Sequence, residues 1–298
     1  MWISEARPLL RGYAYVLLAA ALWAVSGTVS KYLFLGGVAP VQLVQLRTTI
    51  GCLSLLLWLG AGRRRLLAID RKDLPYFLLL GLILAFAQFT YLYAISKIQV
   101  AAAILLQYQS PVIIAVYGFL FGGRRLSFNT LIAIFTAVGG CYLVVGAYDV
   151  DLISLNRAGI ISGLASAAGF AWYTMKSESG MRSYAPWTVL FYALLFAGLA
   201  CNIVHPPLAA FAGGYAARQW WGIAFIGIVG TILPFGFYNK GIVIIRSTRA
   251  SITATLEPVF AGVAAYFVVG EVLGPVQMAG ALLVMSSIFL LQIKQDPA

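Results

Sequence analysis

Residues 74–95 read LPYFLLLGLILAFAQFTYLYAI, a run that no charged residue interrupts. A helix needs about 20 largely apolar residues to cross the hydrocarbon core of a bilayer, so this stretch is a transmembrane span. Working outward, the same criterion marks nine more: Gly12–Lys31, Pro40–Gly60, Val100–Phe121, Leu126–Ala147, Gly159–Lys176, Pro186–Val204, Gln219–Gly241, Ala250–Gly270 and Pro275–Ile293. Between residues 74–95 and Val100 the break is only Ser96 to Gln99. Lipid offers the backbone no hydrogen-bond partner, so the spans are helices, and the runs are too long and continuous for a barrel of alternating strands.

The composition agrees. Of 298 residues, 62% are hydrophobic and 10% charged, with a mean hydropathy of +0.92. Soluble domains average roughly 45–50% apolar and about 25% charged. The net charge of +11 does not indicate nucleic acid, because the basic residues sit in short gaps between apolar runs and form no stripe on a polar domain. Cys52, Cys141 and Cys201 lie inside apolar runs and read as small buried hydrophobes. His205, beside Pro206 and Pro207, reads as a loop residue. The first apolar run is long enough to span and carries no small-residue cleavage site, so no cleavable signal peptide is expected. The longest polar gaps, near 60–73 and 205–218, are too short to fold alone.

Charge also orients the chain. With the N-terminus inside, the inner set holds Arg7, Arg11, Arg63, Arg64, Arg65, Arg71, Lys72, Arg124, Arg125, Lys176, Arg182, Arg246, Arg249 and Lys294. The outer set holds Lys31, Lys97, Arg157 and Arg218. Arg47 and Lys240 lie within or near spans and are left uncounted. The bias predicts both termini on the cytoplasmic side, and the expected location is the cytoplasmic (inner) membrane, crossed many times.

Shifting residues 99–145 by 147 lays them on residues 246–292. Pro111 falls on Pro258, Gly123 on Gly270, Leu126 on Leu273, Tyr91 on Tyr238 and Gly12 on Gly159, with Pro40 one residue off Pro186. The matches run in order and divide the chain into residues 1–147 and 148–298, five spans each. Five is odd, so the second half enters from the opposite side: two inverted five-helix repeats around a central cavity, a common plan of secondary transporters. Arg124 and Arg125 follow the fourth span, while Glu271 follows the ninth.

The residues at this point resemble a family. LEPVF at 256–260, then Gly270-Glu271 and the run from Pro275 to Leu291, resemble the second repeat of EamA-type proteins of the drug/metabolite transporter superfamily. Leu22-Trp23, Pro40 with Arg47, Ser110-Pro111 and Gly122-Gly123 resemble the first repeat. The match covers nearly the whole chain, although the first repeat has Ser110-Pro111 in place of the Glu-Pro pair and Arg124 in place of Glu271. The resemblance implies ten helices, a central cavity and export of amino acids or other small metabolites.

Polar and ionisable groups inside spans are costly and point to function. Glu257 lies within the ninth span before Pro258, which removes a backbone donor and frees a carbonyl one turn earlier. Such a carboxylate suits a substrate ammonium or a coupling proton. The structural alternative is a fixed pair with Arg47 or Lys240. Helical spacing puts Ala250, Ala254 and Glu257 on one face, and the shift carries them to Ala103, Gln107 and Ser110. Gln88 and Tyr91 share a face of the third span, and Tyr238 lies one turn after Pro234 in the eighth. Gln88, Tyr91, Gln107, Tyr238 and Glu257 are therefore the expected cavity lining, with Trp23 and Trp172 as its aromatic walls. Interhelical hydrogen bonding and plain packing are the competing roles. The spacings Gly118 to Gly122 and Gly159 to Gly163 suit close helix contact, within the monomer or in a homodimer.

No phosphate loop of the form GxxxxGK[ST] is present, and neither a HExxH motif nor a Cys/His cluster suggests a metal or haem. The Ser-rich sixth span offers no His base for a hydrolase. The expectation is a secondary transporter that exports amino acids or similar small metabolites by alternating access, with no cofactor. Its partners are a small-molecule substrate, the lipid bilayer and a coupling proton. A membrane-embedded enzyme and a passive channel or scaffold are the alternatives.

Overall fold

The computed structural model describes residues 2–98, 100–121, 127–144, 146–149, 156–269 and 274–293, and the side chains of these except 2–7, 100–101, 264–269 and 291–293. Expectations resting on Gly122, Gly123, Arg124, Arg125, Leu126, Gly270, Glu271, Leu273, Lys294 and the two terminal residues concern positions outside this set.

The described residues form an all-α protein. Its α-helices are α1 (Trp2–Leu35), α2 (Pro40–Gly62), α3 (Leu74–Lys97), α4 (Val100–Gln107), α5 (Ser110–Phe121), α6 (Phe128–Val144), α7 (Arg157–Gly180), α8 (Pro186–Val204), α9 (Ala217–Gly227), α10 (Leu233–Ala254), α11 (Glu257–Val269) and α12 (Pro275–Ile293). A π-helical turn, Ile228–Ile232, joins α9 to α10. At Arg246 the backbone takes φ 70° and ψ 163°, which splits α10 into two helices. Among the described residues these segments form ten rods: α4 with α5 makes the fourth, α9 through Ile245 the eighth, and Ser247 through α11 the ninth.

Prolines set where many helices begin. Pro40 and Pro186 stand in the first turns of α2 and α8, each after an extended alanine. Proline's fixed φ suits a helix start, and its missing N–H costs nothing there. Glutamine side chains then cap the starts: Gln42 accepts from Ala39 N at 3.0 Å, Gln219 from Ala216 N at 2.9 Å and Gln277 from Gly274 N at 2.8 Å.

Among the described residues, six helices are individually long and apolar enough to cross a membrane, and with the shorter apolar helices the ten rods fit the expected all-α membrane protein. Phe128–Val144 and Pro275–Leu290 are shorter apolar helices, and residues 217–254 qualify as one helix although they bend at Arg246. One expectation needs correction: Pro258 starts a helix instead of loosening one, and Pro111 does the same in the fourth rod, because the fourth and ninth rods break before these prolines, at Tyr108–Gln109 and Thr255–Leu256. Ala250, Ala254 and Glu257 therefore do not share a helical face, and neither do Ala103, Gln107 and Ser110.

Some helix bounds coincide under the 147-residue shift. α4 lands on residues 247–254, the start of α5 at Ser110 lands on Glu257, and the start of α6 at Phe128 lands on Pro275. Packing follows it too. α1 lies along α10 as α7 lies along α3, while α2 packs on α8 and α6 on α12. Gly140 and Gly280 let the last pair touch, because a Cβ on either would come within 2.8 and 2.7 Å of the other's carbonyl oxygen. Gly159 and Gly163 close on Ile98 and Leu106 of the same chain, where a Cβ would meet side-chain atoms at 2.6 and 2.7 Å.

The buried core holds residues such as Tyr173, Phe77 and Leu84, whereas Leu57, Phe86, Phe135, Trp172 and Ile203 are exposed. An apolar outside around a packed inside fits lipid, and the chain is a multi-pass membrane protein. Beyond the helix ends, Tyr184 clamps the loop after α2. Its hydroxyl donates to Asp73 Oδ2 at 2.5 Å and accepts from Asp70 N at 3.1 Å. The bond to Asp73 raises the Tyr184 hydroxyl above its ordinary range, and the contact with Asp70 does the same for Lys72.

Candidate functional site

The breaks in the fourth and ninth rods place two short helix ends at the centre of the bundle. Glu257 heads α11, Gln107 closes α4, and Tyr108 follows it in the turn. Tyr108 donates its hydroxyl to Glu257 Oε2 at 2.7 Å, and both residues are buried. α1 brings Trp23, Ser26, Gly27 and Ser30 to the same cavity, α3 brings Gln88 and Tyr91, and α2 brings Arg47.

Arg47 reaches this position because α2 passes close to the π-turn. A Cβ on Gly51 would stand 3.2 Å from the Gly227 carbonyl, and one on Gly227 would strike Ile50 at 2.7 Å. The wider π-turn releases backbone acceptors that an α-helix keeps to itself. Thr231 Oγ1 donates back to Ile226 O at 2.7 Å, five residues earlier, while Arg47 Nε donates to Thr231 Oγ1 at 3.1 Å and Nη2 to Gly230 O at 3.2 Å. These bonds hold the guanidinium in place and leave Nη1 without a hydrogen bond among the described residues.

The two charges stand on one cavity without joining. Among the described residues no ion pair links Arg47 to Glu257. Lys240 lies elsewhere, with its ammonium 5.3 Å from the Tyr15 ring centre and 5.2 Å from that of Trp187. The fixed pair considered from sequence is therefore absent with either cation. Tyr91 stands within electrostatic reach of both Arg47 and Glu257. Its hydroxyl and Gln88 Nε2 are buried without a hydrogen-bond partner. Buried polar groups are ordinarily paired, so a cavity edged by unpaired ones is built for something polar.

Its volume is small, about 40 Å3, against roughly 300–1,000 Å3 for ligand pockets, so the cavity is narrow in this conformation.

The structure thus brings Trp23, Gln88, Tyr91, Gln107 and Glu257 together. It does not bring the other two expected residues. Tyr238 is fully buried behind Trp23, with ring centres 5.2 Å apart, and bonds Thr174 Oγ1 at 3.2 Å. Trp172 is 51% exposed on the outer surface, so it is no cavity wall. On a helix the neighbours of one residue face other ways, and its neighbours Ala171 and Tyr173 are the buried ones. Sequence reasoning missed Arg47 as a cavity residue, and Tyr108, Ser26 and Ser30 altogether. A buried arginine in the second span was the available signal for Arg47.

Comparison with known proteins matches this chain to transporters. The model of the EamA-like transporter family matches residues 10–146 and again 157–293. The chain is 29% identical over 289 residues to the inner membrane transporter YicL of Salmonella typhimurium, covering 95% of each chain. A transporter of Archaeoglobus fulgidus is 30% identical over 201 residues, 67% of this chain and 70% of its own. The pseudopaline exporter CntI of Pseudomonas aeruginosa is 25% identical over 214 residues, 70% of this chain and 72% of its own. A solved crystal structure superposes with a TM-score of 0.71 at 19% identity, covering 97% of this chain and 98% of the other.

Proposed function

The chain belongs to the EamA-like transporter family, and on that premise we propose that this membrane transporter is a secondary carrier that exports amino acids or similar zwitterionic metabolites by alternating access. The observation that carries this is the separation of Arg47 and Glu257 on one cavity. A free guanidinium nitrogen suits a substrate carboxylate, and a carboxylate suits a substrate ammonium. Because the two charges are held apart, each finds a partner at once only when the substrate bears both. Glu257 is also the group available to a coupling proton when the site is empty.

The mechanism is a rocking of two inverted halves, residues 1–147 and 148–298, around this site. Support comes from the matched helix bounds, from the exchanged packing of α1 on α10 and α7 on α3, and from the two matches of the family model in one chain. The narrow cavity is then one state of a cycle, and widening toward one face at a time admits and releases substrate. Both termini lie in the cytoplasm on this reading, as the loop charges require, and the helix contacts described above serve a monomer.

The test is metabolite efflux. Cells overexpressing the chain should release one or more amino acids faster than cells carrying the Glu257→Gln variant at equal membrane abundance. Equal release of every small metabolite by the two strains would overturn the proposal.

A further inference from the structure

The 147-residue shift relates the wall of the open cavity to a region that is packed shut. Ser26, Gly27 and Ser30 of α1 correspond to Tyr173, Thr174 and Ser177 of α7, and Tyr91 of α3 corresponds to Tyr238 of α10. Every one of the four counterparts is 0% exposed, as is Asn239 beside them. Yet all four carry a polar side-chain group, against three of the four equivalent positions on the cavity wall, where Gly27 has none. Thr174 Oγ1 and the Tyr238 hydroxyl bond at 3.2 Å, and the Tyr173 hydroxyl reaches Asn239 Oδ1 at a long 3.4 Å. Asn239 Nδ2 has no hydrogen-bond partner, and Ser177 Oγ makes no hydrogen bond although the Tyr173 hydroxyl lies next to it. A core meant only for packing would fill this space with apolar side chains, because each unpaired buried polar group costs free energy.

An aromatic plug separates the two regions. Trp23 packs against Phe170, Phe235 and Tyr238 with ring centres 5.7, 5.1 and 5.2 Å away. Trp23, Phe170 and Phe235 also face the open cavity. Beyond the plug, a latch holds the shut side. Glu178 Oε2 accepts from Ser247 N at 3.1 Å, and Oε1 lies 3.8 Å from Arg246 Nη1. Arg246 is the residue whose φ of 70° is a conformation that side chains disfavour. The latch therefore fixes a strained turn between the eighth and ninth rods. Its counterpart under the shift is Lys31, which ties the opposite hairpin differently, donating to Ile95 O at 3.0 Å.

We propose that Tyr173, Thr174, Ser177, Tyr238 and Asn239 line a second half of the permeation path, concealed in this conformation, and that release of Glu178 from the Arg246–Ser247 turn exposes it as the first half closes. The polar groups of the shut cluster then meet water and the polar ends of the substrate, which accounts for their unmet hydrogen bonds. This rests on the alternating-access reading above. It adds which residues form the hidden wall and which contact keeps it hidden.

The test uses single-cysteine reporters in the full-length protein in membranes, after Cys52, Cys141 and Cys201 are replaced by alanine and counterflow of the replaced background is verified. Ser30→Cys and Ser177→Cys are labelled with a membrane-impermeant methanethiosulfonate, from each side in turn, with Asn239→Cys as a second reporter of the hidden wall. Ser30→Cys should react from one side only, and Ser177→Cys or Asn239→Cys from the other only. Glu178→Gln should raise the rate at the hidden wall at least threefold and lower the rate at Ser30→Cys by a similar factor. Inert cysteines at both hidden positions, with Glu178→Gln included, would overturn the proposal, as would rates that rise together on both walls. If the background shows counterflow and the hidden wall stays inert, only this assignment fails. If the background and the native chain both lack counterflow for every amino acid tested, the carrier reading itself fails.

Discussion

Arg47→Gln is the substitution that examines the site most closely. It keeps a polar side chain of moderate length and removes the guanidinium. Two of the guanidinium's bonds are internal, to Thr231 Oγ1 at 3.1 Å and Gly230 O at 3.2 Å. Thr231 keeps its own bond to Ile226 O at 2.7 Å, so only the Gly230 carbonyl loses its partner. That loss costs about 1–3 kcal/mol, and it is offset in part because the protein no longer buries a cation. The variant should fold. The remaining nitrogen, Nη1, is the one left for a substrate carboxylate. One hydrogen bond to a charged group contributes about 1.5–3 kcal/mol, which at 1.4 kcal/mol per decade is about 10- to 150-fold in affinity. Binding would be measured by scintillation proximity on purified protein, with an exported amino acid and with its decarboxylated amine. The amino acid should weaken by that factor while the amine changes little, and the melting temperature in detergent serves as a control for folding. If both ligands weaken equally, or neither does, Arg47 does not read a carboxylate and the charge-pairing argument fails.

Glu257→Gln removes the opposite charge and should insert and stay monodisperse in detergent, yet lose most flux or change its pH dependence; normal flux at every pH would take Glu257 out of the mechanism. Gly280→Ala sets a methyl group 2.7 Å from the Gly140 carbonyl oxygen, where backbone cannot yield, and overpacking of this kind costs about 1–3 kcal/mol. A thermal melt that matches the parent would show that α6 and α12 do not pack this tightly. Reporter fusions at Met1 and Ala298 should both report cytoplasm, and opposite compartments would break the ten-rod topology.

Much of the fold was legible because a bilayer imposes a simple rule on long apolar runs. Residues 74–95 fall inside α3, and Pro186–Val204 is α8. The breaks within the fourth and ninth rods were not legible, because residues 100–121 and 250–270 are each apolar enough on average to read as one span and hydropathy does not register a turn that stays inside protein. Pro111 and Pro258 marked those places, but a proline reads equally as a kink or as a helix start. The cavity was half legible. Gln88, Tyr91, Gln107 and Glu257 stand out because polar side chains are scarce in spans. Tyr238 shares their chemistry and sits at the position equivalent to Tyr91, yet it is buried on the shut side. A sequence repeat cannot say which of two equivalent walls lines the cavity, since under the proposed alternating access both would be needed in turn. Trp172 and Tyr173 are neighbours in the chain that face opposite ways, and only packing of α7 against α3 and α10 tells which is inside.

Counterflow in proteoliposomes addresses the central claim, that this chain carries its substrate by exposing one site to two sides alternately. Vesicles holding the purified protein are loaded with an unlabelled amino acid at high concentration and diluted into a trace of the same labelled amino acid. The account predicts a transient accumulation of label above its equilibrium level, saturable with the internal amino acid and lost in Glu257→Gln. Entry that rises linearly with concentration and never overshoots would contradict it, because that is the behaviour of a pore.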